Sequence, residues 1–142
     1  MKLLSYVLIG LIGTTSFFTG CSKSNNSTSN TTDISNQLTA SNWGIHYYYA
    51  NGTDNSKLFT SYTFTFKKDS TLILSNTTES YNGGWYTQKK SDGSVQFTIN
   101  IASLTTVQLL NNNWKIVSND GTLITMKDFS PTEDKVLHLI RQ

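Results

Sequence analysis

Residues 62–75 read YTFTFKKDSTLILS, two short runs of apolar side chains joined by a polar segment. In the first run apolar and polar residues alternate strictly, and period-two alternation is typical of a half-buried β-strand, because successive side chains point to opposite faces. The KKDS segment has the composition of a tight turn. The stretch therefore predicts a β-hairpin.

Comparable alternations recur along the chain, with turn signals about every eight to twelve residues. The clearest are residues 43–49, 95–101 and 114–126, and the last range contains the SNDG sequence, a strong hairpin signal. Residues 104–110 fit a strand, a turn or a short helix, and we expect a strand. The pattern predicts an all-β fold, an up-and-down antiparallel β-barrel of about eight strands, for residues 38–142.

Composition narrows the class of protein. The chain has 142 residues, a net charge of +2 and a single Cys. This length fits one domain, and a small, scattered charge argues against nucleic acid as the main partner. One Cys excludes an internal disulfide and a cysteine-cluster metal site. The 18 Ser, 21 Thr and 14 Asn are typical of strands joined by polar turns.

Residues 1–20 have the pattern of a secretory signal peptide. Lys2 precedes the uncharged stretch 3–18, which is shorter than the roughly 20 residues of a membrane span. The FTGC sequence at residues 18–21 resembles the lipobox of bacterial lipoproteins, in which the cysteine is acylated and becomes the new N-terminus. The resemblance implies that Cys21 attaches the protein to a membrane through acyl chains, and an ordinary free thiol is the alternative.

The residues after Cys21 bear on localisation and on the tether. The lipoprotein resemblance implies an outer-membrane anchor, because Ser22 is not the Asp that retains some lipoproteins in the inner membrane. Residues 22–26 lack the acidic run linked to surface export, so a periplasm-facing domain is expected and the cell surface is the alternative. Twelve of the fifteen residues in 22–36 are Ser, Thr or Asn, which predicts that residues 21–37 are the acylated cysteine and a flexible tether.

The folded part resembles the small lipocalin-like domain of many secreted bacterial lipoproteins. The resemblance rests on Trp43, the YTFTFKKD segment, Gly84-Trp85, the stretch from Leu110 to Trp114, and the closing residues 137–140. Lipocalins pack an Arg from the last strand over the Trp of the first. Arg141 is placed to cover Trp43 in this way, and a solvated Arg141 is the alternative. The resemblance implies a calyx and often an apolar ligand.

The predicted inward face carries most of the aromatic residues. The candidate ligand-binding residues are Tyr47, Tyr49, Phe64, Phe66, Trp85 and Phe97. They either fill the core or line a cavity, because an eight-stranded barrel has room for side chains or for one small ligand. Tyr48 is predicted to face outward, where with His46 it would begin an aromatic patch for a protein or glycan partner.

We expect no catalytic activity, no cofactor and no metal site. His46 and His138 are predicted on the outer face of strands, most acidic residues fall in turns, and the familiar nucleophile, phosphate and zinc motifs do not occur. We expect a lipid-anchored, non-catalytic envelope lipoprotein that binds a small hydrophobic or amphipathic molecule inside its barrel. The alternative is a protein-interaction or envelope-scaffold module with a closed, filled barrel.

Overall fold

The computed structural model describes residues 30–103, 105–130 and 133–142. The predicted signal peptide, Cys21 and the tether residues up to 29 lie outside the described residues. The strands are β1 (Trp43–Ala50), β2 (Thr53–Asp54), β3 (Thr63–Phe66), β4 (Thr71–Ser75), β5 (Ser80–Lys89), β6 (Val95–Ile101), β7 (Asn112–Asn119), β8 (Leu123–Asp128) and β9 (Val136–Arg141). The helices are α1 (Thr31–Thr39) and two 3-10 helices, Ser56–Phe59 and Thr106–Leu110.

Antiparallel pairing closes the sheet into a barrel. The strands from β3 to β9 each pair with their neighbours in sequence, and β1 pairs with both β3 and β9. Trp43 lies opposite Phe64 on one side and opposite Arg141 on the other. The prediction of an eight-stranded, up-and-down antiparallel barrel is confirmed, with the short β2 added to the end of β1.

Apolar side chains from every strand of the barrel fill its interior. One buried representative from each is Trp43, Phe64, Leu72, Trp85, Phe97, Trp114, Met126 and Leu139. Helix α1 adds Ile34 and Leu38 to this core, and the two 3-10 helices add Phe59, Val107 and Leu110. The core is therefore continuous from α1, through the barrel, to the 3-10 helices.

Helix α1 corrects the predicted boundary of the tether. Asn30 caps the helix, since its Oδ1 accepts a hydrogen bond from the Thr32 N–H at 3.2 Å. Ile34 and Leu38 are four residues apart, so they share one face of the helix, and both are buried. The prediction of a flexible segment is wrong for residues 31–37, because this small apolar face packs on the barrel.

Two further contacts hold α1 in place. The Trp43 indole N–H donates to the Leu38 carbonyl at 3.1 Å. The Gln37 side-chain amide donates to Asn119 Oδ1 at 2.9 Å, which joins α1 to the end of β7. The folded unit consequently includes α1 and begins before residue 38.

The segment predicted as a strand at 104–110 contains a 3-10 helix instead. Val107 and Leu110 are three residues apart, which places them on the same side of a 3-10 helix, and both are buried. The Asn111 side chain accepts from the Ile101 N–H at 2.6 Å and donates to the Ile101 carbonyl at 2.9 Å. These side-chain hydrogen bonds replace a backbone ladder at the point where the predicted strand would have paired.

The side chain of Arg141 packs over the ring of Trp43. The Arg141 guanidinium carbon lies 5.6 Å from the centroid of a Trp43 ring. Trp43 is fully buried, and the exposed Arg141 side chain lies between its ring and the solvent. Of the two alternatives left open for Arg141, packed or solvated, the structure shows the packed one.

The Leu38→Ala variant tests whether α1 belongs to the folded unit. The substitution removes a buried side chain, so the free energy of unfolding should fall by about 2–5 kcal/mol. Asn36→Ala is the matched control at an exposed position of the same helix, and should change the free energy by less than about 0.5 kcal/mol. Urea denaturation of the full chain measures both, and equal stability of the two variants would contradict the assignment.

Candidate functional site

The aromatic residues predicted on β3, β5 and β6 form a cluster of rings in the barrel interior. The Phe66 ring centroid lies 5.4 Å from that of Trp85 and 5.7 Å from that of Phe97, both in edge-to-face arrangements. Phe64 is fully buried and pairs with Trp43 across the strands. The structure brings these four predicted residues together as parts of the packed core.

The polar groups of the described interior are paired within the protein. The gap beside α1, between Leu38 and Phe97, has no room for a water molecule. The indole N–H groups of Trp85 and Trp114 donate to backbone carbonyls at 3.0 and 3.3 Å. Over the described part of the chain, every buried side-chain nitrogen or oxygen has a hydrogen-bond partner. The rings and indole groups in this part of the interior therefore contact the protein itself, as expected where side chains fill a barrel.

A β-bulge in β1 sets the orientation of the side chains that follow it. Ile45 pairs with Leu139 of β9, and the next residue pair joins Tyr47 to His138. His46 is therefore an extra residue without a partner on β9. Such a bulge places two successive side chains on the same side of the sheet.

The bulge reverses the predicted positions of the three tyrosines. Tyr48 is 1% exposed and belongs to the core, whereas Tyr47 and Tyr49 are half-buried on the outer surface. The prediction that Tyr47 and Tyr49 face the interior, and that Tyr48 faces outward, is wrong. The reason is that strict alternation fails at His46, and the IHYYY sequence has no Gly or Pro to mark the extra residue.

Tyr48 connects β1 to the second 3-10 helix. Its ring makes edge contacts with Phe59 at 5.4 Å and with Trp114 at 6.3 Å between centroids. Its hydroxyl donates to the Leu109 carbonyl at 2.6 Å. Burial raises the pKa of Tyr48, and the charge of Glu133 raises it further, so the phenol stays a neutral donor.

The outer surface of β1 and β9 carries four neighbouring aromatic side chains. We call them the outer aromatic cluster: His46, Tyr47, Tyr49 and His138. The Tyr47 ring centroid lies 5.2 Å from that of His138 and 6.5 Å from that of Tyr49. The two imidazole centroids are 6.4 Å apart, with the ring planes within 11° of each other. Burial lowers the pKa of His138, and the neighbouring His46 lowers it further, which favours a neutral imidazole at pH 7.

The outer aromatic cluster keeps its polar atoms free. Among the described residues, neither phenol and neither imidazole of the cluster makes a hydrogen bond to the protein. Val136 and Ile140 flank His138 on the outer face of β9, and both are half-buried. The face therefore combines apolar area with polar atoms available to a partner.

The described residues hold neither a cluster of metal-ligating side chains nor a membrane-spanning helix. No three or more His, Cys, Asp or Glu side chains in this part of the chain are grouped so that they could hold a metal ion. No helix within the same residues is long and apolar enough to cross a membrane.

The architecture is that of a closed antiparallel barrel with aromatic rings in its core and the outer aromatic cluster on its surface. A solved structure shares this fold: the crystal structure of a DUF4847 family protein from Bacteroides vulgatus matches with a TM-score of 0.54 and 14% sequence identity. The match covers 77% of this chain and 97% of that one, and at this identity it supports the fold alone. Neither a comparison with protein-family models nor one with curated proteins finds a match.

Substitutions at Tyr47 and Tyr48 test the bulge. Tyr48→Ala leaves a cavity in the core, so the free energy of unfolding should fall by about 3–5 kcal/mol. Tyr47→Ala removes a half-buried surface ring and should cost less than about 1 kcal/mol. Chemical denaturation of the two variants side by side gives the comparison. A larger loss for Tyr47→Ala than for Tyr48→Ala would show that the strand alternates without a bulge.

Proposed function

We propose that this chain is a lipid-anchored, non-catalytic recognition module of the bacterial cell envelope, and that it binds a protein partner through the outer aromatic cluster. The observation that carries the proposal is the bulge at His46, which places Tyr47 and Tyr49 beside His138 on the surface of a filled barrel. The filled barrel favours this function over a ligand carried inside.

The distribution of free polar atoms supports recognition on the outside. In the interior, the indole and phenol groups of Trp85, Trp114 and Tyr48 donate to backbone carbonyls. The phenols of Tyr47 and Tyr49 on the surface keep their hydrogen-bonding capacity. Tyrosine is enriched in protein interfaces because one ring supplies apolar area and a polar handle at a small entropic cost.

The chemistry of the cluster indicates the kind of partner. Its phenol rings supply apolar area, and Val136 and Ile140 extend it with aliphatic area. Lys127 pairs with Val136 across β8 and β9 and is exposed, which gives the face a charged edge. We infer a partner surface with an apolar centre and hydrogen-bonding groups, the usual anatomy of a protein interface.

The non-catalytic assignment follows from the surroundings of the two histidines. His46 and His138 contact each other, and His138 also contacts Tyr47. Within the described residues neither imidazole has a carboxylate partner that would orient it as a general base. The arrangement therefore supports binding better than acid–base chemistry.

The proposed lipid anchor of this module is Cys21. It rests on the resemblance of residues 18–21 to a lipobox, which makes Cys21 the acylated residue. Nine residues separate Cys21 from Asn30 in numbering, so an extended chain joining them spans at most about 30 Å. An acylated Cys21 would thus keep the α1 end of the barrel close to the bilayer, with an outer-membrane, periplasm-facing location as the expected one.

Metabolic labelling tests the anchor. The full chain expressed in a Gram-negative host should incorporate labelled palmitate and sediment with membranes. Cys21→Ser should abolish both, because it removes the sulfur that carries the lipid. An unlabelled wild-type chain would overturn the anchor while leaving the recognition surface to be judged separately.

Site-specific photocrosslinking tests the recognition surface. A photoreactive phenylalanine at Tyr49 should give one discrete adduct with a protein in intact cells, because that position faces the partner. The matched control is the same residue at Gln88, an exposed position of β5 on the other side of the barrel. His138→Ala should remove the adduct at position 49. Equal crosslinking at both positions, or none at position 49, would contradict the proposal.

A further inference from the structure

A second surface site lies between α1 and the turn that joins β3 to β4. It is a groove of about 390 Å³, bounded by Asn36 on α1, by Lys68 and Ser70 in the turn, and by Tyr86 on β5. This volume is within the range of about 300–1,000 Å³ that holds small ligands. The groove is on a different side of the barrel from the outer aromatic cluster, so it is independent of the function proposed above.

The floor of the groove is fixed by the protein itself. The hydroxyls of Ser35 and Thr87 are hydrogen-bonded to each other at 2.8 Å, which joins α1 to β5. The Trp85 backbone N–H donates to the Ser70 carbonyl at 2.9 Å, which joins β5 to the turn. The three elements that form the groove are thus held at defined positions before any ligand binds.

Four side chains bring unused polar groups to this groove. They are the amide of Asn36, the ammonium of Lys68, the hydroxyl of Ser70 and the phenol of Tyr86. Over the described residues none of these four groups makes a hydrogen bond or an ion pair. All four side chains are exposed, so their polar groups are accessible to a ligand in the groove.

Ser70 occupies the left-handed position of the turn between β3 and β4. Its φ is 68°, in the left-handed region where glycine is favoured because a Cβ crowds the backbone. The turn itself needs only the backbone of this residue, whose N–H donates to the Lys67 carbonyl at 3.1 Å. A serine at a position that favours glycine places a hydroxyl at the edge of the groove.

The chemistry of the groove identifies a class of ligand. Tyr86 is 49% exposed, so its ring is available for contact with the apolar C–H face of a sugar. Short hydroxyl and amide groups, such as those of Ser70 and Asn36, exchange hydrogen bonds with sugar hydroxyls in both directions. From this combination we propose that the groove binds a saccharide, with one or two sugar rings packed along Tyr86.

Titration with simple sugars tests the proposal. The probes are cellobiose, maltose, lactose and N,N′-diacetylchitobiose, followed by NMR chemical shifts of the full chain carrying Cys21→Ser. At least one should bind with a Kd below about 10 mM. Tyr86→Ala and Asn36→Ala, both at exposed positions, should weaken that affinity about tenfold or more. Tyr47→Ala, in the outer aromatic cluster, is the control and should leave it unchanged.

The Ser70→Gly variant separates ligand binding from folding. It should raise the Tm because glycine adopts the left-handed conformation without strain, and it should weaken sugar binding because the hydroxyl is lost. Failure of all four sugars to bind would overturn the proposal. So would binding that Tyr86→Ala and Asn36→Ala leave intact, and full affinity in Ser70→Gly would overturn the role of its hydroxyl.

Discussion

The position of one extra residue in β1 determines which side chains of this strand build the core. Side chains alternate with a period of two, so an insertion at His46 moves every later side chain to the opposite face. Before the bulge Trp43 and Ile45 point inward, and after it Tyr48 and Ala50 do. The same step brings Tyr47 to the outer surface beside His138. The core and the candidate recognition surface therefore depend on one feature of the backbone.

Much of the barrel follows from short-range patterns in the sequence. The YTFTF and SNDG segments fix two hairpins through alternation and turn chemistry, and Trp43 and Arg141 meet as the lipocalin-like pattern implies. The bulge at His46 could not be predicted, because residues 45–49 carry no marker of an extra residue. Helix α1 was missed because its buried face consists of only Ile34 and Leu38, which gain stability from the barrel and not from local sequence.

The filled interior changes the expected use of the fold. A lipocalin-like barrel implies a calyx, but Phe66, Trp85 and Phe97 are in ring contact across this one. On the surface of the described residues, the outer aromatic cluster and the groove beside α1 both carry polar atoms without a protein partner. Two separate surfaces on one rigid barrel would suit a module that holds two components of the envelope together, and an acylated Cys21 would keep both near the membrane.

Native mass spectrometry tests most directly whether recognition takes place outside a filled barrel. The full chain, purified from membranes in a mild detergent, should show the mass of the polypeptide with its covalent acyl chains and no further small molecule. A double variant, Tyr47→Ala with Tyr86→Ala, removes the aromatic contacts of both surfaces and should look the same. A one-to-one adduct of roughly a few hundred daltons, retained in the double variant and lost on denaturation, would place a ligand in the interior and contradict the account.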